Sequence, residues 1–325
     1  MKNLWKKKPM VTKMIALILA ASITAAAVAQ DSIILNTEPV IFGANVISAG
    51  EFEFNASFTP DNKTVFFSKA TTNWDIIALF SSTKKNNSWA QPVLLPFSGK
   101  YRDADPFVSY DGKKLFFISD RPINGNEYKD YGYHIFYVDL YGNKIASEPK
   151  VLDLPLPNGM TPLYPSIAAN GNLYFTANTS GNNDIYISEW KEGKYQQQRL
   201  LPFNSNEFHD LDPVVAFDES FLIFTSNNRK GAGANDLYIS FQKNGSWNEP
   251  MNLGPKVNTR VSDMAPGLSR DNKKLYFTSY REKIDRSSID QKKMNYEKLV
   301  NMMHSFKNGI GNIYEIDISS IAPKK

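Results

Sequence analysis

A short motif returns five times along this 325-residue chain, and its period restricts the fold to a ring of similar sheets. The clearest copies are Asp105-Pro106 followed by Ser109-Tyr110-Asp111-Gly112 and Leu115-Phe116-Phe117-Ile118-Ser119-Asp120-Arg121, and Ala265-Pro266 followed by Ser269-Arg270-Asp271-Asn272 and Leu275-Tyr276-Phe277-Thr278-Ser279. Asp212-Pro213 with Asp218-Glu219 and Ile223-Phe224-Thr225-Ser226, and Tyr164-Pro165 with Asn170-Gly171 and Leu173-Tyr174-Phe175-Thr176, share the frame. A degenerate first copy has Ala56 in the proline position, then Asp61-Asn62 and Val65-Phe66-Phe67-Ser68. Measured at the turn, the copies stand at 61, 111, 170, 218 and 271, at intervals of 50, 59, 48 and 53 residues. Each interval is one β-propeller blade long.

Each copy reads as four strands. The proline-led segment is the inner strand a, and the Asp-Gly, Asp-Asn or Asn-Gly pair turns it into the aromatic strand b. Strand c is marked by Trp74-Asp75-Ile76, His134-Ile135, Asp184-Ile185, Asp236-Leu237 and Asn312-Ile313, and the outer strand d by Trp89, Glu148-Pro149, a weak signal near Gln197, and Trp247. The fifth copy lacks a strand d. Glu38-Pro39 with Phe42-Gly43 and Val46 has the spacing of Glu249-Pro250 with Leu253-Gly254 and Val257, so the N-terminal segment is expected to pair into the last blade and close the ring. The prediction is an all-β, five-bladed propeller, with six blades as the alternative; a sixth needs about 50 more residues.

Composition bears on compartment. Lys2, Lys6, Lys7, Lys8 and Lys13 precede an uncharged apolar run, Met14 to Ala29, and Ala27-Val28-Ala29 stands before Gln30, the layout of a secretory signal peptide. The run is shorter than the ~20 residues of a membrane span. Removing residues 1–29 takes five lysines from the 37 basic residues and none of the 33 acids, so the mature chain, 30–325, carries 32 against 33. No basic stripe is left to attract nucleic acid. Zero cysteines exclude a disulfide scaffold, a thiolate zinc site and a lipid-modified leader. The expected product is a single-domain, monomeric propeller of the periplasm or medium of a Gram-negative bacterium, with no membrane span once the leader is cut.

The unit Asp-Pro-x-x-Ser-x-Asp-Gly-x-x-Leu-Phe-Phe-x-Ser-x-Arg, best kept between Asp105 and Arg121, resembles the WD40-like repeat of TolB-like propellers. The resemblance covers nearly all of the mature chain. TolB itself has an additional α/β domain and usually six blades, so its partnership with a peptidoglycan-associated lipoprotein does not carry over. Similar repeats occur in outer-membrane proteins with an OmpA-like domain, in prolyl oligopeptidase-like enzymes and in oligogalacturonate lyases. The resemblance implies a scaffold; function has to come from a site.

Candidate site residues lie on the funnel face, made by the loops that lead into strand a and join b to c. Three residues before the proline position stand Glu53, Asp103, Asp210 and Asp263, with Pro162 in the third copy. At the end of strand b stand Lys69, Arg121, Arg229 and Arg281, with no base in the third copy. Acid and base occur together in four copies and are both missing from one. That covariation points to structural ion pairs; the competing reading is an acidic funnel that takes a cation or a sugar. His209 beside Asp210 faces the same side, as a hydrogen-bonded loop residue or as part of the site.

Catalytic signatures are scarce. The chain has no Gly-x-Ser-x-Gly elbow, no phosphate-binding glycine loop, and only His134, His209 and His304, with no metal-ligand spacing among them. No cofactor and no metal is called for. The long connection from Glu282 to Gly311 is predicted to hold a helix near 288–306, with Ser288 and Gln291 as a capping box and Ile289, Tyr296, Leu299, Val300, Met303 and Phe306 on one face. Two functions follow: a non-catalytic scaffold that binds an envelope protein or glycan, or a carbohydrate-active hydrolase or lyase that uses funnel carboxylates. Paired acids would favour the scaffold.

Overall fold

Every inner strand carries a β-bulge at one place, and the sequence motif explains it. Proline has no N–H to give to a ladder, so in four blades the strand slips a residue there, and blade 1 keeps the bulge with Ala56 in that place. In the computed structural model, which describes residues 33–123, 132–179 and 181–321, the register shifts between Phe54 and Ser57, Ala104 and Phe107, Leu163 and Ser166, Leu211 and Val214, and Met264 and Gly267. The residue just before each proline position is left-handed, with φ of 54° at Asn55, 57° at Asp105, and 53° at Tyr164, Asp212 and Ala265. Four of the five, Asn55, Asp105, Tyr164 and Asp212, line the cavity at the axis.

Five antiparallel sheets form the ring. Strands a, b and c of the successive blades are Phe52–Phe58, Thr64–Ala70 and Ile77–Lys85; Asp103–Val108, Lys114–Ser119 and His134–Tyr141; Pro162–Ile167, Leu173–Thr179 and Asn182–Ser188; His209–Val215, Phe221–Asn227 and Asp236–Lys243; and Asp263–Leu268, Lys274–Ser279 and Asn312–Asp317. Two-residue strands, such as Val93–Leu94, Lys150–Val151, Arg199–Leu200 and Met251–Asn252, take the outer position. Edges this short offer little backbone to a foreign strand. Strand c of blade 1 starts at Ile77, so Trp74 stands in the preceding turn.

The ring closes as the spacing predicted. Val40–Ile41 pairs with the last strand, Val40 opposite Glu315 and Ile41 opposite Tyr314. Gly43 and Gly254 are both left-handed, at 59° and 81°. Their carbonyls accept the same pair of amides, Val46 and Ile47 in one case and Val257 and Asn258 in the other. A Cβ on Gly43 would lie 2.8 Å from the Ile47 Cβ, so the turn requires glycine. Phe42 then packs edge-on against Phe58, Trp89 and Tyr276 at 5.7, 5.4 and 5.1 Å. The core between neighbouring sheets includes the strand-b side chains Val65, Phe67, Leu115, Phe117, Leu173, Phe175, Leu222, Phe224 and Leu275, all fully buried, with side chains of strands a and c beside them.

The 282–311 insertion is helical over a shorter range than expected. Two 3-10 turns, Arg286–Ser288 and Gln291–Lys293, precede one helix, Tyr296–Met303. The cap is Asn295, whose side chain accepts from the Lys298 amide, and Ser288 ends a turn instead of starting the helix. Extended backbone at Ile289 and Met294 stops each earlier turn. The expected apolar face is open: Tyr296, Leu299 and Met303 are exposed and no helix residue is buried. Asn308 ties the insertion to blade 1 by donating to the Gly50 carbonyl at 2.7 Å. Among the described residues no helix is long and apolar enough to cross a membrane. The expected signal peptide, residues 1–29, lies outside the described residues.

Candidate functional site

The four funnel acids sit where strand a begins, opposite the end of strand b, and each meets the base of its own blade. Arg121 reaches Asp103 at 2.7 Å and Arg281 reaches Asp263 at 2.8 Å. Arg229 grips both oxygens of Asp210, at 3.1 and 2.7 Å, and Ser226 adds a hydroxyl donor at 2.6 Å. Lys69 is shared, 3.4 Å from Glu53 and 2.9 Å from Glu51. The side chains of Glu53, Asp103, Asp210 and Asp263 have no exposed surface, and those of their basic partners keep 6–17%. The funnel therefore presents no free carboxylate from this ring.

The arginines also hold the preceding blade's exit loop. Arg121 donates to the Phe97 carbonyl, Arg229 to Phe203, and Arg281 to Lys256 and Val257. Each pair thus fastens strand a, strand b and the incoming connection, which explains why acid and base are lost together in blade 3. There Pro162 replaces the acid, and Asn178 bonds to Asn183 and to the Gly181 amide. Burial pushes Glu53 up to about 8 against the attraction of Lys69, and its Oε2 has no partner. Burial also raises Asp103, opposed by Arg121. His209 lies at the start of strand a of blade 4, opposite Asn227, and accepts the Asn183 amide through Nδ1 at 3.4 Å.

Two features escaped the sequence reading. The first is the axis. Asn55 donates to Asp105 at 2.7 Å, and Asp105 accepts the Tyr164 amide at 3.2 Å. Asp212 accepts from Thr225 at 2.7 Å and from the Ala265 amide at 3.2 Å. Neither acid has a basic partner among the described residues. Burial and the charge of Asp212 drive Asp105 well above the usual carboxylate range, and burial lifts Asp212 to about 6. Asn55, Asp105, Tyr164 and Asp212 line an axial cavity of about 40 Å³ together with Phe217 and Arg270. The signal was present, since each of the first four is the residue before the repeat's proline position.

The second is Trp74, left-handed at φ 62° and 38% exposed. Its ring stands edge-on to Phe52 at 4.9 Å and Phe54 at 5.5 Å, and Tyr280 lies 5.6 Å from Phe52. A bulky residue in this conformation is uncommon and held by its surroundings. The b to c connection puts it on the funnel face, where it offers an amphipathic edge to a ligand.

No family model and no curated protein matches the chain. Solved structures similar to it include a thermostable family-43 glycoside hydrolase, 12% identical, covering 71% of this chain and 83% of that one at TM-score 0.48. An oligogalacturonate lyase from Vibrio parahaemolyticus is also 12% identical, covering 87% and 68% at 0.40. The periplasmic gluconolactonase of Pseudomonas aeruginosa is 13% identical, covering 69% and 64% at 0.41. The chain spans only 34% of a puromycin-hydrolysing peptidase of Mycobacterium tuberculosis. These likenesses concern the fold alone.

Proposed function

We propose that the chain is a non-catalytic propeller, exported to the periplasm or medium, that binds an envelope protein or glycan through its funnel face. The observation that carries this reading is the complete burial of Glu53, Asp103, Asp210 and Asp263 against Lys69, Arg121, Arg229 and Arg281. A glycosidase or lyase needs carboxylates that touch substrate. Glu53 has the raised pKa of a general acid, yet it has no surface to offer one. The funnel residues open to a ligand include Trp74, Tyr280 and Ile76, with Glu51 exposed beside Lys69 and Asp75 exposed beside Trp74, a surface suited to recognition.

Two measurements test the reading. The full chain and its Trp74→Ala variant are used to capture partners from envelope extract, and both are incubated with envelope and plant polysaccharides while new reducing ends and unsaturated uronates are followed. A partner or glycan held by the wild type and lost by the variant, with no bond cleaved, is the expected result. Turnover of any polysaccharide that Asp103→Asn abolishes in a folded variant would establish the enzyme instead.

A further inference from the structure

We propose that the seam where the ring closes, between blades 5 and 1 on the face opposite the funnel, is a binding cleft for a carboxylate-bearing saccharide. The inference rests on the glycan arm of the binding reading but uses different residues on a different face. A cleft of about 420 Å³ lies there, within the ~300–1,000 Å³ of small-ligand sites. Phe42 of the closing segment, Trp89 of blade 1 and Tyr276 of blade 5 form its aromatic side.

Repeat symmetry shows what is missing. At the junction of blades 3 and 4, Glu219 fills the equivalent space by accepting from Tyr174 at 2.7 Å, Asn172 at 2.9 Å and Asn170 at 2.7 Å. Trp247 there is buried. Tyr276 is the counterpart of Tyr174, Trp89 of Trp247, and Asn62 of Glu219, with φ 54° and 57° at the last two. The Asn62 side chain makes no hydrogen bond across the seam among the described residues, and Trp89 is only partly buried. Tyr276 instead has a hydrogen bond to Glu315 of its own blade, so the space that Glu219 fills at one junction stays open at the other.

Charge selects the ligand. The lining has three acids and three lysines. Asp271 is held by Ser269 at 2.6 Å and by the Lys273 amide at 3.2 Å, Glu315 by Lys274 at 3.0 Å, and Asp317 by the Ser319 amide at 2.8 Å. Lys84 and Lys273 form no salt bridge within 4.0 Å among the described residues, Lys273 acting on Asp271 and Asp317 only at longer range, and Lys84 Nζ lies 5.0 Å from the Trp89 ring centroid. A sugar ring against the indole would bring a carboxylate to these two ammonium groups and hydroxyls to the occupied acids.

The full chain is titrated calorimetrically with a galacturonate tetramer, with a tetramer alternating glucuronate and N-acetylglucosamine, and with the neutral N-acetylglucosamine tetramer. At least one acidic tetramer is expected to bind one to one, with the neutral tetramer weaker by about tenfold or more. Lys84→Met with Lys273→Met removes the charge and should lose that preference. Asn62→Glu sets a side chain where Glu219 stands at the other junction, so it should fill the cleft and end binding while the melting temperature holds. Failure of both acidic tetramers to bind at millimolar concentration overturns the proposal. So does equal binding of the neutral tetramer, or binding untouched by both variants. Trp74→Ala should bind the acidic tetramer normally, which separates this cleft from the funnel.

Discussion

Arg270 donates to the carbonyl of Ser109, 3.1 Å away, and so joins the hairpin of blade 5 to that of blade 2 across the axis. The same guanidinium reaches the carbonyls of Val108 and Tyr110 and lies 4.4 Å from the Phe217 ring centroid. Burial depresses its pKa to about 10, against the opposing influence of Tyr110 and Asp111. Blades 5 and 2 are not neighbours, so this strut ties the ring where sheet packing does not.

Arg270→Leu is therefore expected to cost about 2–4 kcal/mol, since it leaves buried carbonyls without a donor. Arg270→Lys, with a single donor centre, should recover only part of the loss. Urea unfolding measures both; a midpoint unchanged in Arg270→Leu would show that the strut carries no stability.

Asp210→Ala leaves Arg229 buried and unpaired, with an expected loss of about 3–5 kcal/mol. Arg229→Met combined with Asp210→Ala should recover much of it, because the stranded charge is gone. A double-mutant cycle by urea denaturation gives the coupling energy. Additive losses would mean that the two side chains act independently.

The axial acids set a pH dependence. Asp212 has a folded pKa of about 6, above its unfolded value, so the folded state binds its proton more tightly. The stability this contributes is fully present below about pH 4 and is lost as pH rises through 6. Relative to Asp212→Asn, the wild type should lose up to about 3 kcal/mol between pH 4 and 8. Parallel stability curves for the two proteins across that range would contradict the assignment.

Phe42→Ala removes the aromatic plug of ring closure. The expected cost is about 3–5 kcal/mol, seen as a lower melting temperature with the far-ultraviolet strand signal kept below the transition. A variant that melts like the wild type would show that Val40–Ile41 pairing alone closes the ring.

The motif spaced about fifty residues apart contained the blade count, the hairpins and the closing strand, because these depend on local turn chemistry and on a hydrophobic period of two. It also contained the acid and base positions, since their joint absence from blade 3 is visible in the string. Burial was not legible there. Whether Asp103 faces ligand or Arg121 depends on how tightly the neighbouring sheet covers it, and only the packed ring decides that. The axial group of Asn55, Asp105, Tyr164 and Asp212 is assembled from residues far apart in the chain, as are Arg270 with Ser109 and Asn62 with Tyr276. Their meeting depends on the radius and closure of the ring. Local sequence determined the blades of this protein; which polar groups are shielded, and which seam stays open, was decided by five sheets converging on one axis.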